Sequence, residues 1–173
     1  MCRVERWYIF YYNRAMGASF TKQCPAPKRG VFVRPGQTRL CVAGFGISHH
    51  TGRARRIVDS IVSIYPETYE SWYFFNTFGY RDYLSELKTE LSEEQQKQFA
   101  THKSSPFCWI EKENEKPFAI GGRDKLCDWV VAHFPASDGK NTPILELCRD
   151  EPTRSFKETF FDNSRPGTAK TEL

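Results

Sequence analysis

The sequence predicts an α/β domain with its elements in the order β-α-β-α-β-β-α. Three observations carry that expectation. Short apolar or aromatic runs closed by glycine or asparagine alternate with stretches whose apolar residues recur at helical spacing. The last two strand candidates are separated only by the charged turn Lys112 to Lys116, the pattern of a hairpin. With 173 residues, 39% hydrophobic and 15% aromatic, the chain is long enough for one packed core and too short for two sizeable domains.

Residues 1–37 turn from aromatic to rich in Pro, Gly and Lys, which predicts an irregular lead-in; the domain proper is expected over 38–135. Leu40 to Phe45 is an apolar run closed by Gly44 and Gly46, as in a buried strand. From the cap candidate Thr51, Ile57, Val58, Ile61 and Val62 fall on one helical face, and Pro66 ends that stretch. Tyr69 to Phe75 is dense in aromatics and reads as the second strand. Tyr80, Tyr83, Leu84, Leu87 and Leu91 then form one face of a second helix. After a polar segment, Gln95 to Lys103, come strand candidates at Phe107 to Glu111 and Phe118 to Ile120. Leu126, Trp129, Val130 and Phe134 share a face of the last helix, which Pro135 ends. The polar composition of 136–173 predicts a largely irregular tail.

Composition narrows the classes of function. No apolar run approaches the roughly 20 residues of a spanning helix, so no membrane association is expected. A net charge of +4 is too small to call for nucleic acid. The six cysteines, at positions 2, 24, 41, 108, 127 and 148, include no closely spaced pair, so free thiols in a reducing compartment, the cytoplasm or a cilium, are the expectation. His102 and His133 have no neighbour at metal spacing, and adjacent His49 and His50 are expected to point apart, so no metal is expected.

The element order is similar to that of thioredoxin and glutaredoxin, and this resemblance implies a thioredoxin-like fold, a four-stranded mixed sheet with helices on both faces. Ser105-Pro106 opens the third strand where such proteins carry a cis-proline, and Gly121-Gly122 resembles glutaredoxin's Ile-Gly-Gly turn. The resemblance puts the active site at the loop before the first helix, where a helix N-terminus stabilises a cysteine thiolate. Here that loop reads Gly46-Ile47-Ser48-His49-His50-Thr51, with Ser48 in the place of the first cysteine. A hydroxyl neither ionises near neutral pH nor forms a disulfide. No catalytic residue is therefore assigned, and the groove formed by Ser48, His49, His50, Ser105, Pro106, Gly121, Gly122 and Asp124 is expected to bind a protein partner.

Rival readings start from the same stretch. Gly44-Phe45-Gly46 begins a dinucleotide fingerprint but has His49 in place of its third glycine, which opposes nicotinamide binding. Arg53, Arg55 and Arg56 are candidates to hold an anion at the helix start, against the alternative of a solvated face. Cys108 follows Pro106 and faces either the groove or the core, an inert buried thiol being the commoner case. The ending Thr171-Glu172-Leu173 fits a carboxylate-capturing peptide ligand, Lys170 to Leu173 an ER-retention tail, and Met16 to Thr21 an acylation signal if translation began at Met16; all three are weak.

His102 to Trp109 with Ile120-Gly121-Gly122, extending back through Val42-Ala43-Gly44 to cover about 39–135, resembles the N-terminal thioredoxin-like domain of malate dehydrogenase 1B-like proteins, cytosolic and associated with cilia and testis. In that family the loop carries a Cys-Pro-Tyr-Tyr-like sequence, from which Ser48-His49-His50-Thr51 departs. The resemblance implies an accessory domain without the dehydrogenase machinery, and so a cytoplasmic, ciliary binding module. Its alternative is a glutathione-dependent oxidoreductase or transferase, with glutathione beside Pro106 and its glutamyl end at Gly122 and Asp124. Asp124 is also a good helix-start residue in its own right. Oligomeric state is not legible.

Overall fold

The computed structural model describes residues 33–149. The sequence calls on 1–32 and 150–173, including both terminal motifs, lie outside the described residues. The order is β1 (Thr38–Gly44), α1 (His49–Ile64), β2 (Tyr69–Phe75), α2 (Tyr80–Glu90), α3 (Glu93–Gln98), β3 (Phe107–Lys112), β4 (Phe118–Gly121), α4 (Arg123–His133), a 3-10 turn (Gly139–Asn141) and α5 (Thr142–Arg149). The strands lie in the order β2-β1-β3-β4. β1 runs parallel to β2 and antiparallel to β3, and β4 pairs antiparallel with β3. This is a thioredoxin-like mixed sheet, and helices cover both of its faces.

Alternation along the strands divides the core in two. Leu40, Val42, Cys108 and Ile110 face α1, α4 and α5 through Ile57, Ile61, Val130 and Ile144. Cys41, Ala43, Trp72, Phe74, Phe107 and Trp109 face α2 through Tyr80, Tyr83, Leu84 and Leu87. The second layer is aromatic: Trp72 lies 5.7 Å from Trp109 and 5.8 Å from Tyr83 between ring centroids. At the start of β1, buried Arg39 joins three strands, its Nε 2.6 Å from Glu70 and its Nη1 3.2 Å from Glu111.

Two elements differ from the sequence expectation. The polar segment after α2 contains α3, whose one buried residue is Gln95. The Gln95 amide donates to the Ala119 carbonyl at 3.2 Å and accepts from the Ala119 N–H at 3.1 Å, so a side chain supplies the hydrogen bonds of edge strand β4. The expected irregular tail from 136 is ordered as far as Arg149: Ile144 and Leu145 of α5 enter the core beside α1 and α4. Asn141 anchors the approach to α5, accepting from the Tyr65 hydroxyl at 2.6 Å and donating to the Pro135 carbonyl at 2.9 Å. Ile144, Leu145, Leu147 and Cys148 do recur at helical spacing, but the stretch is short and flanked by polar residues and prolines, so its signal is submerged in the composition of the expected tail.

Candidate functional site

The site lies where β1 ends and β3 begins, because antiparallel pairing of Ala43 with Phe107 brings those ends together. Ser48 is the N-cap of α1, its Oγ accepting from the Thr51 N–H at 3.4 Å. Thr51 stands three residues on, at the last position of the four-residue loop motif, and is fully buried. Its Oγ1 lies 2.8 Å from Ser105 Oγ, which also accepts from the Phe45 N–H at 2.7 Å. The Ser105-Pro106 peptide bond is cis. Ser105 was expected to face a partner. Instead its hydroxyl ties the β1–α1 loop to the loop before β3, because these inward donors would otherwise lack partners.

That link depends on Gly44. A Cβ there would sit 2.5 Å from Thr51 Oγ1 and 2.6 Å from Ser105 Oγ. The first glycine of the dinucleotide-like run thus makes room for the protein's own hydroxyls. Gly121 has φ of +113°, a backbone conformation side chains rarely adopt, and it turns β4 into Gly122, the N-cap of α4. Gly122 adjoins the site: a Cβ on it would lie 3.8 Å from the Pro106 carbonyl and 3.7 Å from His102 Cε1.

The two histidines do not diverge as expected. Their ring centroids are 4.0 Å apart, because the first turn of a helix has no preceding turn to confine the side-chain rotamers. Burial lowers the His50 pKa, and the neighbouring His49 and Arg123 reinforce the shift against Asp124. Exposed Asp124 pairs with Arg123 at 2.8 Å. The three arginines of the anion candidate, Arg53, Arg55 and Arg56, all lie on α1. Arg55 pairs with Asp59 at 3.3 Å and lies over the Tyr73 ring, whose hydroxyl donates to Asp59 at 2.6 Å. Arg53 is buried on α1, and Arg56 is partly buried.

Three site residues escaped the sequence reading. His102 packs edge-on against Phe99 and Phe107, with Nε2 3.0 Å from the Ser104 carbonyl, and burial lowers its pKa. Its segment is held by Lys88 Nζ, which donates to the His102 carbonyl at 2.6 Å, and by the Tyr80 hydroxyl, which donates to the Ser104 carbonyl at 2.5 Å. Ile47 and Phe78 are the other two, 51% and 81% exposed on the loops that follow neighbouring strands β1 and β2. Asn76 Oδ1 fixes the Phe78 loop by accepting from the Phe78 and Gly79 N–H groups, both at 3.0 Å. The His102-Lys103-Ser104-Ser105-Pro106 run was the available clue to the first; exposure of Phe78 has no local signature.

Among the described residues, no thiol belongs to this site. Cys41 and Cys108 are each 1% exposed within the core, and burial raises the Cys108 pKa well above its ordinary value. Cys127 and Cys148 belong to α4 and α5. Comparison with protein-family models finds no match, and comparison with curated proteins likewise finds none.

Proposed function

We propose that the chain is a redox-inactive thioredoxin-like module that binds an extended segment of a protein partner beside Pro106, with Ile47 and Phe78 as its apolar contacts. One observation carries this reading: hydroxyls stand at both ends of the loop motif, Ser48 and Thr51, and each is already committed to a hydrogen bond. A site organised in this way keeps the architecture of a thiol centre but has no nucleophile to exchange electrons. The exposed rings and aliphatic groups of Phe78 and Ile47 give a partner apolar area to bury. The adjacent His49 and His50 rings, 4.0 Å apart, supply polar contacts at the helix entrance.

The likeness of 102–109 and 120–122 to the accessory domain of malate dehydrogenase-like proteins supports a place in a larger cytoplasmic or ciliary assembly. The test has two arms. With glutathione and hydroxyethyl disulfide, the protein is expected to give no turnover above the uncatalysed rate; catalytic turnover overturns the reading. In a selection from a displayed peptide library, it is expected to enrich peptides whose affinity drops at least tenfold for Phe78→Asp. Enrichment insensitive to both Phe78→Asp and Ile47→Asp places binding elsewhere.

A further inference from the structure

We propose that His102 is a pH-sensitive latch on the loop that carries Pro106, and that protonation of its ring releases the loop and weakens partner binding there. The latch rests on the binding reading given above. Residues 99–106 join α3 to β3, and the loop they form hangs on α2 and on the entrance of α1. Lys88 of α2 donates from Nζ to the Ala100 carbonyl at 3.3 Å and to the His102 carbonyl at 2.6 Å. The Tyr80 hydroxyl donates to the Ser104 carbonyl, and Ser105 Oγ is tied to Thr51 and to the Phe45 N–H. His102 closes the loop on itself, its Nε2 3.0 Å from the Ser104 carbonyl and 3.4 Å from Ser104 Oγ. Because a carbonyl only accepts, that contact puts the hydrogen of the neutral ring on Nε2 and leaves Nδ1 as the site of protonation.

The ring sits where a neutral imidazole is accepted better than a cation. It is partly buried, edge-on to Phe99 at the end of α3 and to Phe107 of β3. Gly122, at the start of α4, stands beside it: a Cβ there would lie 3.7 Å from His102 Cε1. The charged group acting on the ring from α2 is Lys88, and Lys103 of the loop acts on Lys88 with the same sign. Past Gly122, α4 opens with Arg123, Asp124 and Lys125, two positive charges to one negative. Burial and Lys88 disfavour the imidazolium, the Ser104 and Pro106 carbonyls favour it, and the balance lowers the His102 pKa. A released loop gives the ring back to water and restores its ordinary proton affinity. Protonation therefore favours the released form, and the shift sets in as pH falls below about 6.5. The Ser104 carbonyl keeps the Tyr80 hydroxyl and Ser105 keeps Thr51, so the change loosens the loop beside Pro106 without dismantling the sheet.

The experiment follows the folded full-length chain by NMR from about pH 7.5 to about pH 5, recording the His102 Cε1–H resonance and the backbone amides of Ser104, Ser105 and Phe107. Ring and amides are expected to shift with one midpoint below about 6.5. Below it, the same amides are expected to exchange with solvent about fivefold faster, after correction for the intrinsic rate. His102→Gln, neutral throughout that range, is expected to abolish the amide transition. Loop amides that stay still while the ring titrates, or a transition that survives His102→Gln, overturn the proposal. The titration of the unsubstituted protein needs neither a variant nor a ligand, so its failure is separate from that of the proposed function. For a peptide enriched in the selection above, affinity is expected to fall about fivefold over the same range in the parent chain and less than about twofold in His102→Gln. An equal fall in both overturns the role of His102.

Discussion

A methyl group on Gly44 has nowhere to go, since both atoms it would meet are already joined by a hydrogen bond in a buried setting. Gly44→Ala is expected to cost about 1–3 kcal/mol in denaturant unfolding. Gly46→Ala, whose Cβ would meet nothing nearer than 3.9 Å, serves as the mild comparison. Ser48 sits where a thiol would be activated, at the N-cap of a 16-residue helix. Ser48→Cys is therefore expected to acquire a thiol that alkylates faster at neutral pH than those of the parent chain, measured by iodoacetamide kinetics. Reactivity no greater than that of an ordinary exposed cysteine would mean that the helix entrance has lost its activating geometry.

At the scale of elements, α5 and the Arg39 contacts decide how the sheet is held. Ile144 is fully buried between α5 and its neighbours, so Ile144→Ala is expected to destabilise by about 2–4 kcal/mol. A stability change below about 0.5 kcal/mol, within the range of surface substitutions, would mean that α5 is not part of the core. Arg39 bridges carboxylates from β2 and β3, and Arg39→Ala leaves Glu70 and Glu111 on either side of β1 without it. That variant is expected to lose about 2 kcal/mol, less than a deeply buried pair because Glu70 is partly solvated. The strands were legible as short apolar or aromatic runs closed by turn residues, and α1, α2 and α4 by apolar residues at helical spacing, each within a few turns or residues. The burial of Gln95 was not, since it depends on β4, far away in the chain, and α5 was masked because its short apolar stretch stands alone among polar residues and packs on distant α1.

For the whole molecule, acid is the condition that separates folded from unfolded chains. Burial lowers the folded-state pKa of both His50 and His102 from the ordinary value of about 6.5. Between the lowered values and about 6.5 the unfolded chain binds more protons than the folded one, so stability rises with pH across that window and is lost as pH falls through it. Thermal melts from about pH 7 downward are expected to show that fall, and His102→Gln is expected to make it shallower. An unchanged pH profile in the variant would remove His102 from the account.

The sequence alone determined the order of the four strands and of α1, α2 and α4, and the linear marks of the site: Ser48, Pro106 and the Gly121-Gly122 turn. Those features are written within short stretches of chain, where spacing and backbone restriction act directly. Only the tertiary structure decided that Ser105 turns inward to Thr51, that the His49 and His50 rings lie side by side, and that α5 belongs to the core. Each of those outcomes depends on which groups packing brings face to face across many residues, and local propensity carries no record of that.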